Sequence, residues 1–391
     1  MNQGKYVFSQ IMEFVPYYQF NECVKRYKGD YRVRSLTCWE QFLSMAFGQL
    51  TYRESLRDVV VCLKAQKAKL YHLGFRSQVT RPTLARMNEK RDWRIYRDFA
   101  EILIEHARKL YTGDKKFNLD LNGSCYIIDS TTIELCLNIF KWARLVKARA
   151  AVRLHLMLDL NGNIPAFFDI TSGKVHDLNF LDMIELETGA YYIMDRGYVD
   201  FGRLFNIHES GAFFVIRAKK DFAFKRLYSN KVDKTMGVRC DQVIKLTNYQ
   251  AAKKYSDKLR RIKYFDEEIK KYFVFLTNDF NLEAKAIADL YKHRWQIELF
   301  FKWIKQHLKI KSFWGYSANA VKTQICIAIC TYLLVAIIKK KLNIDRNLYE
   351  ILQILSVSSF DRISLDKLIS EVNLSELEGY FQKQANLWGS K

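Results

Sequence analysis

Three features that would place the chain in a familiar class are missing. Its eight cysteines include no C-x-x-C pair, a spacing typical of structural zinc sites, so no zinc site is predicted. Residues 1–20 lack a basic start followed by a continuous apolar core, which argues against a secretory signal. The apolar run at 325–338 is shorter than the roughly 20 residues that span a bilayer. We therefore expect a cytoplasmic protein with no membrane partner, in which this run forms a core helix.

Negative charge is also scarce. The 63 Lys and Arg residues outnumber the 42 Asp and Glu residues and give a formal net charge of +21. This excess indicates a polyanionic partner such as nucleic acid, and a basic surface that serves solubility is the alternative. Lys and Arg dominate residues 1–118 and 218–340, whereas Asp and Glu are in excess at 119–217. Carboxylates that hold cations, between segments that neutralise phosphates, would produce this distribution.

The first 118 residues have a helical pattern. The stretches TCWE and TYRE each fit a capping box, so Thr37 and Thr51 are predicted to begin helices. A third helix is predicted from Pro82 to Tyr111, with Lys and Arg among aromatic side chains. These features favour a DNA-contacting helical domain, but no helix-turn-helix signature identifies the helix that would enter a groove.

Strand patterns begin at residue 119. Asp129 follows the apolar start of SCYIIDSTTIEL, and Asp195 follows AYYIM. Asn161-Gly162 separates two strand-like runs, as a hairpin turn does. Helices are predicted near 176–186 and from about 200. The alternation predicts an α/β fold with an open mixed sheet flanked by helices.

The predicted organisation has five segments. They are a helical N-terminal domain (1–118), the first part of the sheet core (119–218), a basic and mainly β insertion (219–271), the second part of the core (272–340) and a helical C-terminal tail (341–391). A disordered loop at 219–271 is the weaker alternative, because the segment supplies many aromatic side chains that can be buried.

Three carboxylates are the candidate catalytic and metal-binding groups. Asp129 and Asp195 end strands, where open α/β sheets present ligand groups, and Glu298 lies on a predicted helix. An all-oxygen site of this kind suits Mg²⁺ or Mn²⁺. Two such ions can activate an attacking oxygen and stabilise a leaving one in phosphodiester cleavage. The alternative for either aspartate alone is a cap or turn residue.

The helix predicted at 291–305, YKHRWQIELFFKWIK, is apolar around most of its circumference. Tyr291, Arg294, Glu298 and Lys305 share an arc of about 60° at 100° per residue. One interpretation is an internal ion pair between Arg294 and Glu298. The other is a DNA-facing stripe in which Arg294 and Lys305 bind phosphate oxygens and Tyr291 donates a hydrogen bond to the backbone.

Other polar residues support weaker hypotheses. His155 and the pair His176-Asp177 lie near the sheet in sequence, either as participants or as packed or surface groups. Arg196 follows Asp195 and is predicted to contact DNA or to fix its loop. A phosphatase acting through an aspartyl phosphate would need a second Asp two residues after Asp129, where the chain has Thr131.

The helix pattern Y-x2-R-x3-E-x6-K, with IIDSTT and YYIMDRGYVDF, resembles the signature of the insertion-sequence-four family of DDE transposases. The resemblance covers roughly 119–311. It implies a ribonuclease-H-like core with a metal-binding triad, Asp129, Asp195 and Glu298, interrupted by a β insertion. It also implies that Tyr291, Arg294 and Lys305 contact the terminal phosphates of double-stranded DNA, within a homodimer that uses Mg²⁺ or Mn²⁺.

The implied activity is cleavage at terminal inverted repeats, closure of a hairpin and joining of the ends to target DNA. Some relatives hold a flipped base with a Trp in the insertion, whereas residues 219–271 contain no Trp. A Tyr or Phe of the insertion could stack instead. A nuclease without strand transfer and an inactive DNA-binding regulator are the alternatives.

Overall fold

The computed structural model describes residues 4–112, 123–136, 138–146, 149–220, 222–307 and 313–370. The chain divides into two compact units. One contains Met1–Leu110 together with Ile304–Lys391, and the other contains Tyr111–Trp303. The predicted boundary at 118/119 and residues 371–391 of the predicted C-terminal tail lie outside the described residues.

The described residues form thirteen α-helices. They are α1 (Val7–Glu13), α2 (Tyr17–Arg26), α3 (Cys38–Leu50), α4 (Leu56–Ala65), α5 (Arg81–Lys90), α6 (Arg94–Tyr111), α7 (Phe201–Glu209), α8 (Tyr249–Lys254), α9 (Ala284–Lys292), α10 (Trp295–His307), α11 (Ala318–Lys341), α12 (Leu348–Ser358) and α13 (Leu365–Ile369).

The described strands number ten. They are β1 (Cys125–Leu135), β2 (Arg144–Val146), β3 (Arg149–Asp159), β4 (Ile164–Ser172), β5 (Tyr191–Met194), β6 (Phe213–Arg217), β7 (Phe224–Asn230), β8 (Val238–Leu246), β9 (Leu259–Asp266) and β10 (Lys271–Thr277).

Of the two threonines predicted to begin helices, one does so and the other does not. Thr37 caps α3 in a complete capping box with Glu40, as predicted. The prediction for Thr51 was wrong, because Thr51 ends α3 and its hydroxyl donates to the Phe47 carbonyl at 2.7 Å. Tyr52 then adopts a left-handed φ of 53°, and α4 begins only after Ser55, whose side chain accepts from the Asp58 N–H.

The helix predicted from Pro82 to Tyr111 is two helices. Thr80 caps α5 with Pro in its first turn, and the chain becomes extended at Arg91. Asp92 then accepts a hydrogen bond from the Arg94 N–H at 2.9 Å. A side-chain acceptor at this position favours the start of a new helix. One helix was predicted because the pattern of aromatic and basic residues continues across the point where α5 ends and α6 begins.

The apolar run at 325–338 lies within α11, which is longer than predicted. By length and composition alone this 24-residue helix could cross a membrane, but its most apolar window is 94% buried inside the protein. It packs against α3, α5 and α12, and the Asn319 side-chain amide donates to the Asn88 carbonyl at 2.9 Å. The sequence prediction grouped this run with the sheet core, whereas in the structure it belongs to the helical unit.

All ten strands belong to one sheet. Its order is β2-β3-β1-β5-β6-β10-β9-β8-β7, and β4 pairs with β3. The β1–β5 and β5–β6 pairs are parallel, and the remaining pairs are antiparallel. Large apolar side chains such as Tyr192 and Phe214 are fully buried on this sheet. The prediction of a mixed α/β fold is confirmed.

The strands of the basic segment 219–271 are continuous with that sheet. β9 pairs with β10 from Asp266 to Arg260, and β8 and β7 follow outward. Upstream, β3 and β4 form the predicted hairpin around Gly162, which has a φ of 86°. The helix predicted near 176–186 is a 3-10 helix, Asp177–Met183.

Candidate active site

The two aspartates directly follow the paired stretch of two neighbouring parallel strands. Asp195 follows the last residue of β5, whereas Asp129 lies within β1, so the prediction that Asp129 ends a strand was wrong: pairing with β3 extends β1 to Leu135. β1 and β5 are in register from Cys125 opposite Tyr191 to Ile128 opposite Met194. Asp129 and Asp195 are therefore the next residues on two strands that lie about 4.8 Å apart. Both strands consist of continuous apolar runs up to these positions, because a central parallel strand is covered on both faces of the sheet.

The segment predicted as one helix, 291–305, is two helices. α9 ends at Lys292 and α10 begins at Trp295. Across the junction the backbone bonds are of the i to i+3 kind, as from the Arg294 N–H to the Tyr291 carbonyl at 3.0 Å and from Ile297 to Arg294 at 3.3 Å. This tighter winding changes the angular positions that a regular α-helix would give.

Arg294, in that junction, joins two of the three carboxylates. Its Nη1 lies 3.4 Å from Asp129 Oδ2, and its Nη2 forms a short ion pair with Glu298 Oε1. The Tyr291 hydroxyl donates to Asp195 Oδ1 at 3.4 Å. The internal ion pair considered from sequence is thus present. Asp129, Arg294 and Glu298 form one group of contacts and Tyr291 with Asp195 a second, and the Arg294 guanidinium lies 5.9 Å from the centre of the Tyr291 ring.

The surroundings of Asp129 perturb the pKa of its carboxyl group. Its pKa is raised to about 6, mainly by burial and also by the negative charges of Asp195 and Glu298, while the Ser130 N–H and Arg294 act in the lowering direction. Tyr291 is also buried, which raises the pKa of its phenol to about 12. Perturbed groups of this kind concentrate at functional sites.

The donor set fits a divalent cation such as Mg²⁺. Asp129, Asp195 and Glu298 offer only carboxylate oxygens, the ligands that Mg²⁺ and Mn²⁺ prefer. Across the described ranges, no three His, Cys, Asp or Glu side chains are grouped tightly enough to hold a metal ion. Arg294 is instead the cation between Asp129 and Glu298, so a metal ion would bind in competition with its guanidinium.

Lys305 and Arg196 are the two remaining residues that the sequence predicted as DNA contacts. Lys305 is half-buried and follows Glu298 by two turns of α10. Arg196 is exposed and begins a 3-10 helix, Arg196–Tyr198, directly after Asp195. The expectation that α10 is packed on most sides needs correction, because Trp295 and Leu299 are 56% and 41% exposed. Both flank the Arg294–Glu298 pair along the helix.

Sequence reasoning did not identify the cluster behind Asp129. The Ser130 hydroxyl donates to Asp177 Oδ1 at 2.5 Å, and Arg153 donates to the same oxygen at 3.0 Å. His155 is buried, is 2.9 Å from the Thr171 hydroxyl and stacks on Phe180. The alternation of side chains along β1 could have indicated that Ser130 faces away from Asp129. It could not have identified Asp177 as the partner of Ser130, because Asp177 is distant in sequence.

Comparison with known proteins identifies two matching family models. A model described as a transposase DDE domain matches residues 121–334. A second, described as a domain of unknown function (DUF4372), matches residues 3–76. The first spans more than half of the chain and includes Asp129, Asp195 and Glu298.

Curated relatives match parts of the chain. A protein of Sinorhizobium fredii named as a transposase is 38% identical over 217 residues, which are 54% of this chain and 60% of that protein. A Geobacillus stearothermophilus protein named as a transposase for an insertion sequence element is 32% identical over 212 residues, 53% and 55% of the two chains. A Synechocystis protein named in the same way is 24% identical over 57% and 64%. The chain thus spans less than two thirds of each relative.

Among solved structures, the chain is similar to a piggyBac transposase in a synaptic complex with hairpin DNA. The TM-score is 0.46 at 10% identity, covering 94% of this chain and 82% of that one. The family assignment rests on the domain model and the relatives. The chain belongs to the DDE transposases of the insertion-sequence-four kind.

Proposed function

We propose that the protein is a DNA transposase that cuts at the terminal inverted repeats of its insertion sequence and joins the ends to target DNA. The observation that carries the proposal is the register of β1 and β5, which brings Asp129 and Asp195 together. Arg294 links Glu298 to the same site. Carboxylates that hold divalent cations supply the chemistry that phosphodiester cleavage requires.

In this proposal Asp129, Asp195 and Glu298 would hold Mg²⁺, with Mn²⁺ as a substitute. We propose that two such ions bind. When bound, they would activate the attacking oxygen and stabilise the leaving oxygen. The three carboxylates make the site acidic, and the Arg294 guanidinium is the cation that competes with a metal ion. Burial of Asp129 also gives the site a low dielectric, in which charge interactions are strong.

In the complex with DNA, Arg294 would bind a phosphate in place of Asp129 and Glu298. A guanidinium can bind two phosphate oxygens at once, and Tyr291, Lys305 and Arg196 are the further proposed contacts. The basic segment adds surface for the backbone of the DNA. On β9, Arg261 lies over the ring of Phe224 at 5.2 Å, and Lys263 lies over that of Tyr272 at 4.8 Å.

The proposed reaction runs from hydrolysis to strand transfer. Water cleaves one strand at each end, and the freed 3′-hydroxyl attacks the opposite strand and closes a hairpin. A second hydrolysis opens it, and the 3′-hydroxyl then attacks target DNA. We propose a homodimer that pairs two ends at the bacterial nucleoid in the cytoplasm. We also propose that the sheet unit is a ribonuclease-H-like core, that the N-terminal domain (1–118) binds DNA and that the C-terminal tail (341–391) mediates dimerisation, with the run at 325–338 belonging to the helical unit and not to the core.

Cleavage of the DNA that borders the gene tests this proposal. Wild-type protein, Glu298→Gln and a matched control, Glu283→Gln, would be incubated with that DNA and Mg²⁺ and resolved on denaturing gels. Glu283 is exposed and precedes α9. We expect Mg²⁺-dependent cleavage at the repeat ends, with hairpin or joined products, for wild type and Glu283→Gln only.

The alternatives give different products. Cleavage without hairpin or joined strands would favour a nuclease that lacks strand transfer. Tight end binding without cleavage in Mg²⁺ or Mn²⁺ would contradict the proposal and favour a DNA-binding regulator.

A further inference from the structure

The strand that carries Asp129 loses one neighbour at that residue. β1 is paired with β5 only as far as Ile128, opposite Met194. Asp129 and Ser130 continue to pair with β3, opposite Leu156 and His155. From Asp129 onward the backbone is therefore held by a ladder on one side only, at the position where a catalytic carboxylate needs a fixed direction.

Ser130 makes the contacts that replace the lost neighbour. Its N–H donates to Asp129 Oδ1 at 2.8 Å, and its hydroxyl donates to Asp177 Oδ1 at 2.5 Å. Successive side chains of a strand point to opposite faces. Ser130 is thus anchored on one face of the sheet while Asp129 points to the other, toward Arg294.

Asp177 is itself fixed by β3 and by its own loop. Arg153 Nη1 donates to Asp177 Oδ1 and to the Val175 carbonyl, both at 3.0 Å. His155 Nδ1 lies 3.7 Å from the same carboxylate. Tyr198, which is buried, completes the surroundings, because the charges of Asp129 and Asp177 add to the effect of burial in raising the pKa of its phenol.

We propose that Asp177 is a positioning residue that, through Ser130, fixes the Asp129 carboxylate in the direction needed to bind a divalent cation. The inference rests on the proposed function, in which Asp129 is a metal ligand. A single half-exposed hydrogen bond contributes little to the stability of a protein this size. Loss of a group that orients a metal ligand, by contrast, typically weakens metal binding by about 10- to 100-fold.

Mn²⁺ binding to the full-length protein without DNA tests the inference. Free Mn²⁺ would be measured by electron paramagnetic resonance for wild type, Ser130→Ala, Asp177→Ala and the double variant. We expect each single substitution to raise the dissociation constant about 10-fold. Because the two side chains act in one series, the double variant should be no weaker than either single variant.

Two further variants separate positioning from general stability. Ser130→Thr keeps a hydroxyl and should restore wild-type binding. Asp182→Asn removes an exposed carboxylate, paired with Arg203 at 2.6 Å, from the same 3-10 helix and should leave Mn²⁺ binding unchanged. The Mg²⁺ concentration that half-saturates DNA-end cleavage should follow the same ranking. The melting temperatures of Ser130→Ala, Ser130→Thr and Asp182→Asn should differ little from that of wild type, whereas Asp177→Ala also loses the ion pair with Arg153 and should melt at a somewhat lower temperature.

The outcomes are distinguishable. Wild-type affinity in Ser130→Ala and Asp177→Ala would overturn the positioning role and leave the proposed function intact. A double variant about 100-fold weaker than wild type would show that the two residues act separately, which also overturns it. Wild-type protein that binds neither Mn²⁺ nor Mg²⁺ and cleaves no ends would overturn the proposed function and, with it, this inference.

Discussion

Arg294 contacts two of the carboxylates proposed to hold a cation. Its guanidinium therefore competes with a metal ion in the protein without DNA, and a DNA phosphate would draw it away. We expect Arg294→Gln to bind Mn²⁺ several-fold more tightly than wild type in the absence of DNA, but to lose most DNA-end cleavage. Free Mn²⁺ measured by electron paramagnetic resonance checks the first part, and gel assays check the second.

Arg203→Gln is the matched control for that substitution, since Arg203 pairs with Asp182 near the surface. It should change neither measurement. Weaker Mn²⁺ binding in Arg294→Gln would mean that Arg294 orders the carboxylates instead of competing for them.

The buried Asp129 carboxyl predicts a pH dependence of stability. Its pKa is raised from 3.8 to about 6, so the folded protein binds this proton more tightly than the unfolded chain. The stability that the proton contributes is complete below about 3.8 and is lost as the pH rises through 6, on the order of 3 kcal/mol. Without metal, Asp129→Asn should therefore melt at a higher temperature than wild type above pH 6 and at a similar temperature near pH 4.

Asp182 provides a control of opposite sign. The side-chain hydrogen bond from Arg203 lowers the pKa of Asp182, so its contribution is present above 3.8 and is lost as the pH falls through the lowered value. Asp182→Asn should not raise the melting temperature at any pH, and its effect should be small because the pair is exposed. A pH-independent difference between Asp129→Asn and wild type would contradict the burial of an ionisable Asp129.

At the scale of elements, short-range patterns predicted much of the site. The strand ending before Asp195, the hairpin at Gly162 and the cap at Thr37 all follow from local spacing and turn chemistry. The predicted strand end at Asp129 was wrong, because β1 continues to Leu135 in its pairing with β3. The junction at Arg294 did not, because no Gly or Pro signals the change to i to i+3 bonds. The Asp177–Ser130 bond was missed because it joins residues 47 positions apart, which no periodicity records.

A buried ion pair links β8 to β9, in addition to the backbone hydrogen bonds between these strands. Arg260 on β9 donates to both carboxylate oxygens of Asp241 on β8, at 2.9 and 2.8 Å, and to the Asp279 carbonyl after β10 at 3.2 Å. Both charged side chains are at least 94% buried. We expect Arg260→Met to destabilise the protein by about 3–5 kcal/mol, because it leaves the Asp241 carboxylate buried and unpaired. Chemical denaturation monitored by fluorescence measures this.

Two variants complete that experiment. Arg260→Met combined with Asp241→Leu should recover most of the loss, since no charge remains buried. Lys270→Met removes an exposed pair with Glu267 and should cost at most about 1 kcal/mol. An Arg260→Met protein as stable as Lys270→Met would show that the pair does not hold the outer strands.

At the scale of the whole molecule, the first helices depend on residues near the other end of the chain. Twelve of the thirteen residues of α3 are buried, and α11 packs against α3. The Val7 N–H donates to the Asp361 carbonyl at 3.0 Å, and Leu365 donates to the Gln10 side chain at 2.9 Å. Sequence patterns missed this pairing because helical periodicity gives each helix an apolar face without naming its partner.

A fragment of residues 1–112 should therefore fail to fold alone. Without α11 its buried faces would be exposed to water, and we expect a broad, non-cooperative thermal transition and strong binding of a hydrophobic dye. The same fragment joined by a flexible linker to residues 313–370 should melt cooperatively. Circular dichroism of both polypeptides makes the comparison, and a cooperative transition in the 1–112 fragment alone would contradict the expectation.

The division of one helical unit between both ends of the chain also sets an order of events on the ribosome. α3 is complete at Leu50, but α11 begins only at Ala318, on the order of half a minute later at roughly 10 residues per second. Throughout that interval the sheet unit, which is contiguous in sequence, can emerge and fold while the apolar faces of the first helices lack their partner. A nascent chain stalled before Ala318 would carry a finished sheet and an open helical core, which makes the N-terminal helices the natural target of chaperones during synthesis.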